Sequence, residues 1–148
     1  MPRVQIRTFD ERDRAAVIDL WHRAGLTRPW NDPGRDIDRK LADSPWGLLV
    51  GEDAERVVAA VMVGYDGHRG TVNYLAVDPA SRGCGVGSVL MDHAEGLLLE
   101  RGCPKIHIQV RGDNSGVVGF YERRGYVLEP ATHAVTLGRR LIQDGPPA

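Results

Sequence analysis

The stretch Val77-Asp78-Pro79-Ala80-Ser81-Arg82-Gly83-Cys84-Gly85-Val86-Gly87-Ser88 decides how this chain is read. It follows residues 71–77, which read as a strand. It precedes residues 88–100, where Val89, Leu90, Ala94, Leu97 and Leu98 recur at helical spacing. Glycines at 83, 85 and 87 remove Cβ atoms where a ligand must touch backbone. The first amides of a helix lack intrahelical partners, and with the helix dipole they form an anion site. Arg82 adds a cation at the rim. A pyrophosphate fits such a loop; a flexible surface turn is the simpler alternative. Two other phosphate loops fit less well. A Walker loop needs a lysine before its Ser/Thr, and Gly87-Ser88 has none between. A Rossmann fingerprint needs its third glycine one residue later.

Outward from this loop the chain alternates strands and helices. Residues 46–51 and 57–65 read as two strands of a hairpin, with polar residues 52–56 as the turn. Asp66-Gly67-His68-Arg69-Gly70 is a tight loop. Residues 4–8 alternate Val4 and Ile6 with Gln5 and Arg7, as a half-buried strand does. Asp10, with Asp13 three positions on, reads as a helix start. Val17, Leu20, Trp21 and Ala24 follow on one face, and Gly25 is a natural stop. Asp32 caps a second helix with Pro33 at its first position, Ile37 and Leu41 on its apolar stripe, and Ser44-Pro45 as its end. Downstream, residues 105–110 read as a strand and 114–124 as a short helix closed by Gly125. Residues 126–128 and 133–137 read as the last strands. The order β-α-α-β-β-β-α-β-α-β-β is an α/β layout with a largely antiparallel first half and a crossover helix in the middle.

Bulk properties narrow the class. The 148 residues carry 26% charged side chains and a formal net charge of −1. That length suits one domain, residues 1–148, and at that size roughly 70% of the unfolded surface is buried without disulfide or metal. The charge balance lacks the basic footprint of a nucleic-acid binder, so no nucleic-acid partner is expected. Cys84 and Cys103 stand alone, outside any metal-ligand spacing, which fits a reduced cytoplasmic chain and no metal. The N-terminal stretch is charged from Arg3 and lacks an apolar signal segment. No apolar run approaches the ~18 residues that span a bilayer, so no membrane partner is expected.

Arg82-Gly83-Cys84-Gly85-Val86-Gly87 resembles the Gln/Arg-x-x-Gly-x-Gly/Ala signature of the GCN5-related N-acetyltransferases (GNAT). The strand Asn73-Tyr74-Leu75-Ala76-Val77, the segment Val110-Arg111-Gly112-Asp113-Asn114, and Gly119-Phe120-Tyr121-Glu122-Arg123-Arg124-Gly125-Tyr126 fall in that family's order. Ile6-Arg7 and Asp13 resemble its first strand and helix. Arg28-Pro29-Trp30-Asn31-Asp32-Pro33, residues 64–70 and residues 101–106 narrow the resemblance to the bacterial YpeA-type acetyltransferases, a group with no settled acceptor.

The resemblance implies a GNAT fold: a mixed, mostly antiparallel twisted sheet flanked by helices, with splayed central strands. It implies acetyl-coenzyme A as cofactor. The diphosphate would lie on the amides of Gly83, Cys84, Gly85, Val86, Gly87 and Ser88, beside Arg82. The pantetheine would pair like an added strand with Leu75, Ala76 and Val77. Asn114 would align it, and Tyr121 would face the sulfur. The implied reaction is direct transfer of acetyl to a primary amine, small molecule or peptide, in a ternary complex. Dimers are common in this family, so a homodimer is compatible with it. A non-catalytic acyl-CoA-binding or regulatory module is the alternative.

That reaction sets chemical demands. The amine must be neutral, and a lysine-type amine of pKa ~10.4 is only about a thousandth neutral near neutral pH. The carbonyl oxygen needs a donor, which the family takes from a backbone N–H near Leu75 or Ala76. The thiolate needs a proton or hydrogen bond. On spacing alone Tyr121 is a core aromatic; within its motif it resembles the family's general acid. Gln109 stands where related N-terminal acetyltransferases often carry Glu, and an amide cannot accept the proton, which leaves the base open. Candidates are Asp66 and His68, with a plain Asp-Gly turn as the alternative. His107, on the strand face of Gln109, is a weaker candidate. His22, His93 and His133 read as surface residues. Trp30 and Asn31, with Asp66 and His68, are candidate acceptor contacts. Trp21 fits a buried helix stripe.

Overall fold

The computed structural model describes residues 3–110, 114–129 and 135–144. Its strands are β1 (Gln5–Thr8), β2 (Leu48–Asp53), β3 (Arg56–Tyr65), β4 (Gly70–Val77) and β5 (Ile106–His107). Its α-helices are α1 (Arg14–Arg23), α2 (Pro33–Asp43), α3 (Val86–Glu100) and α4 (Ser115–Arg123). The sheet order is β1-β2-β3-β4-β5, with neighbours antiparallel up to β4 and β5 parallel to β4.

Local signals place the first half. The Asp10 side chain accepts from the Arg12 amide, and Asp13 reaches back to the Asp10 amide at 2.8 Å, a closed capping box. Asp13 also takes both guanidinium nitrogens of Arg7 at 2.7 and 2.9 Å, which ties β1 to the start of α1. Asp32 caps α2 through the amides of Gly34 and Arg35, with Pro33 at its first position.

The sheet has a core on each face. On one, Val17, Leu20 and Trp21 of α1 and Ile37 of α2 pack on Leu48, Val50, Ala60 and Ala76. On the other, Leu90, Met91, Ala94 and Leu98 of α3 pack on Leu49, Val61, Val63 and Val72, joined by Tyr121 of α4. Completely buried side chains of this size each contribute about 1.5–3 kcal/mol. No described helix is long and apolar enough to cross a membrane.

Four strand expectations are corrected. Trp46 and Gly47 lie in a 3-10 turn, Pro45–Gly47, so β2 begins at Leu48. The strand expected over 105–110 shrinks to Ile106–His107, because β5 meets β4 only at Gly70↔Ile106 and Thr71↔His107 before the two diverge. Residues 126–128 are not a strand. Tyr126 turns inward, packing on the Tyr121 ring and donating to Glu95 at 2.6 Å, while Val127 and Leu128 are both exposed, which breaks strand alternation. Of the strand expected over 133–137, residues 135–137 are irregular and exposed; His133 and residue 134 lie outside the described residues, as do Arg111, Gly112 and Asp113.

Candidate active site

The loop between β4 and α3 opens with a 3-10 turn, Pro79–Ser81, capped by Asp78, whose carboxylate accepts from the Ala80 amide at 2.9 Å. Asp78 is buried, and that amide, with Arg23 at 3.2 Å, holds its carboxyl below the usual range. Gly83 and Gly85 both sit at φ +80°, and a Cβ on either would meet nothing within 4 Å. These positions need glycine for backbone conformation, and their backbone faces open space. Gly85 is the N-cap of α3 and supplies no side-chain cap, so among the described residues the first α3 amides have no capping side chain. A Cβ on Gly87 would stand 3.4 Å from the Phe120 ring and 3.7 Å from Val77, so this glycine lets α3 pack against α4 and β4. Arg82, Gly83, Cys84 and Gly85 are exposed, and the Arg82 Nε donates to the Val77 carbonyl at 3.2 Å. These features fit a diphosphate: open amides at a helix N-terminus, with a guanidinium beside them.

β4 provides the second part. After Thr71 its outer edge has no strand partner among the described residues, so Leu75, Ala76 and Val77 carry backbone that an extended ligand could pair with. Register with β3 shifts between Ala60↔Ala76 and Met62↔Asn73, so Tyr74 and Leu75 oppose Val61 alone. This β-bulge centres on Tyr74, which lies at φ +57°. A non-glycine residue there costs about 1–3 kcal/mol and persists only where surroundings hold it. The bulge also resets the faces. Val72, Leu75 and Val77 pack toward α3, whereas Tyr74 and Ala76 pack toward α1 and α2.

Tyr121 stands on the α3 side of this strand. It is 6% exposed, between the rings of Phe120 and Tyr126 at centroid distances of 5.1 and 5.4 Å. Burial pushes its phenol up to about 12, so it keeps its proton across the physiological range. Its hydroxyl has no hydrogen-bond partner among the described residues, which leaves a donor for a ligand. Asn114 caps α4, its side-chain oxygen accepting from the Val117 amide at 3.3 Å, and is exposed.

Asp66 and His68 lie in the β3–β4 turn, at the opposite end of β4. The Asp66 carboxylate accepts from the amides of His68 at 2.8 Å and Arg69 at 2.7 Å, and these bonds hold its carboxyl low. Strand rise puts Leu75 roughly 16 Å along from the Gly70 end. The structure therefore brings Asp66 and His68 together with each other but not with the unzipped edge. Gln109 donates to the Thr136 hydroxyl at 2.9 Å, and His107 lies 3.7 Å from Glu129.

Trp30 is 58% exposed. Asn31 belongs to a ring of polar contacts that sequence reasoning missed. The Tyr74 hydroxyl donates to Asp36 at 2.7 Å, and Arg39 lies 3.3 Å from Asp36. Arg39 also pairs with Asp144; Arg140 pairs with Asp144 at 2.7 Å and with the Asn31 side-chain oxygen. The Asp144 side chain is 1% exposed and also accepts from the Asp32 amide at 3.0 Å, so its carboxyl lies far below the usual range, chiefly through Arg39. Only the Asp32–Asp36 helical spacing could have hinted at this; nothing local marks Asp144.

A model of the Acetyltransferase (GNAT) family matches residues 14–126. An acetyltransferase of Pectobacterium atrosepticum is 49% identical over 141 residues, covering 95% of this chain and 98% of that protein. Among solved structures, Ard1 from Thermoplasma volcanium aligns with a TM-score of 0.77 at 27% identity, over 86% of this chain and 85% of its own. A Clostridium acetobutylicum acetyltransferase solved with acetyl-CoA shares the fold, with a TM-score of 0.69 at 19% identity over 91% of this chain and 96% of its own. A family model spanning most of the sequence, and near-half identity along almost its full length, place the chain in the GNAT family of acetyltransferases.

Proposed function

We propose that this protein transfers acetyl directly from acetyl-coenzyme A to a primary amine, on a small molecule or a peptide, with both substrates held at once. The observation that carries this reading is the course of β4. Among the described residues its outer edge has no strand partner beyond Thr71, and it runs straight into a loop whose open amides begin α3. When bound, acetyl-coenzyme A supplies the acetyl group as a thioester.

The chain's own residues bind and align the reactants; in the balanced reaction the attacking amine loses one proton and the departing coenzyme A sulfur gains one. The amides of residues 83–88, with Arg82, hold the diphosphate. Leu75, Ala76 and Val77 hold the pantetheine by backbone pairing, and Asn114 flanks it. A backbone N–H at the bulge donates to the thioester carbonyl oxygen as it gains charge, and losing such a donor typically costs about 3–4 kcal/mol. Tyr121 donates its hydroxyl proton toward the sulfur. A phenol held near 12 is a weaker acid than an ordinary thiol of ~8.5, so it acts chiefly by hydrogen bonding and full transfer is uphill. The amine arrives from the α1/α2 side, past Trp30 and Asn31. The geometry of Asp66 supports a turn-forming role over a base, with His68 carried on that turn.

A thiol-release screen tests the reading, using acetyl-coenzyme A against amines, polyamines, amino acids and N-terminal peptides, with Tyr121→Phe alongside. Amine-dependent release that the variant loses supports it. Gln109, a neutral amide that donates to Thr136, favours one second reading: a non-catalytic acyl-CoA-binding module. Tight binding with no release against any amine would select that module.

A further inference from the structure

Tyr74 is a bulky residue in a left-handed backbone conformation, yet the bulge is well defined. Two helices hold it at three points. Trp21 of α1 donates from Nε1 to the Tyr74 carbonyl oxygen at 3.0 Å. The Trp21 and Tyr74 rings stack with centroids 4.1 Å apart and planes at 20°. Asp36 of α2 accepts from the Tyr74 hydroxyl at 2.7 Å. Trp21 itself is fully buried, packed in the core between α1, α2 and the sheet.

The Tyr74 carbonyl and the Leu75 N–H belong to one peptide unit. That unit is planar and trans, so its C=O and N–H point in opposite directions. By drawing the carbonyl toward α1, Trp21 turns the Leu75 N–H away from α1. The Leu75 side chain packs on the far side of the sheet, with the cluster that contains Tyr121. One hydrogen bond from a buried indole therefore sets the direction of a backbone donor on the unzipped edge.

We propose that Trp21 is a positioning residue for acetyl transfer: it aims the Leu75 N–H at the thioester carbonyl oxygen, and Asp36 secures the same unit through the Tyr74 hydroxyl. This inference rests on the acetyl-transfer reading above. It gives Trp21 a role that a core-filling tryptophan does not need, since a phenylalanine would keep most of the packing and the stack but not the donor.

The test compares Trp21→Phe, Asp36→Ala and Asp36→Asn with the unmodified protein. Hydroxylamine serves as a small nucleophile, uncharged near neutral pH, in a thiol-release assay at saturating acetyl-coenzyme A. Coenzyme A affinity is measured by calorimetry and the Leu75 amide by its NMR resonance. Trp21→Phe should lower turnover by about tenfold while the coenzyme A Kd moves by less than about threefold, since the lost contact acts on the reacting carbonyl rather than on the cofactor body. The Leu75 amide resonance should shift in the ligand-free variant. Asp36→Ala should show a smaller fall in the same direction, and Asp36→Asn, which keeps an oxygen acceptor for the phenol, should restore most of it. Turnover of folded Trp21→Phe within twofold of the unmodified protein, or an unmoved Leu75 resonance, overturns the proposal. If Trp21→Phe does not fold, equal rates for Asp36→Ala and Asp36→Asn overturn it. Absence of coenzyme A binding by the unmodified protein would instead remove the acetyl-transfer reading, and this inference with it.

Discussion

The two ends of β4 differ in how they are paired. At its start, Gly70 and Thr71 are paired on both sides, with β3 and with β5, and the preceding turn is closed by the Asp66 carboxylate on two backbone amides. At its far end, beyond the Tyr74 bulge, the strand is paired among the described residues with β3 alone and runs into a loop of exposed glycines. The Asp66 carboxylate at the first end is satisfied within the fold, whereas at the second end the outer edge of β4 has no strand partner among the described residues. In the acetyl-transfer reading proposed above, open backbone pairing, more than the presence of titratable side chains, marks the reacting end. Asp66 and His68 look more reactive on paper, yet they sit at the closed end.

The largest effect expected from this contrast is at the diphosphate loop. Gly85→Glu places a carboxylate where a diphosphate belongs and a Cβ on a backbone at φ +80°. It should weaken coenzyme A binding by at least about 100-fold in a titration, because like charge replaces an anion site at a helix N-terminus. Unchanged affinity would break the assignment of the open end as the cofactor seat.

Tyr121→Phe comes next. Turnover should fall by about 100-fold or more, as for loss of a preorganised hydrogen-bond donor to developing charge, while coenzyme A affinity stays within about threefold. Its pH behaviour sharpens the point. Burial raises the phenol to about 12, so Tyr121 should contribute no alkaline fall in kcat until well above the ordinary phenol value of ~10. The same shift gives a stability term, fully present below the unfolded-state value of ~10 and lost as pH rises toward about 12, because the folded state holds the proton more tightly. Thermal melts across that alkaline window should show this loss in the unmodified protein and less of it in Tyr121→Phe.

The smallest effect is expected at the closed end. Asp66→Ala and His68→Ala should leave turnover within about twofold, with only a modest fall in melting temperature for Asp66→Ala, as for exposed turn residues. A tenfold loss of turnover in either would overturn the contrast and return the pair to the reaction.

What the sequence revealed follows the range of the forces involved. The capping residues Asp10 and Asp32, the stop at Gly25, and the glycines at 83 and 85 act on their immediate neighbours, so their roles are readable in order along the chain. The splay of β4 from β5 was legible only through family resemblance, since no local pattern says where two parallel strands part. The bulge at Tyr74 was invisible, because alternation of Val72, Tyr74 and Ala76 looks like an unbroken strand; helix contacts from Trp21 and Asp36 accompany the reset of its faces. The polar ring was equally hidden. Asp144 and its partner Arg39 lie 105 positions apart, and a charge pair at that separation leaves no periodic trace. Tyr126 shows the reverse case: strand-like neighbours, but an inward ring and a hydroxyl bound to Glu95 break the expected strand.

The most direct test of the central claim is amide hydrogen exchange across the whole chain with and without saturating coenzyme A. Coenzyme A seated on the open end of β4 should slow exchange mainly at residues 75–77 and 83–88, with the Asp66 turn unchanged. Tight coenzyme A binding that leaves both of those segments exchanging at their free rates would contradict that claim.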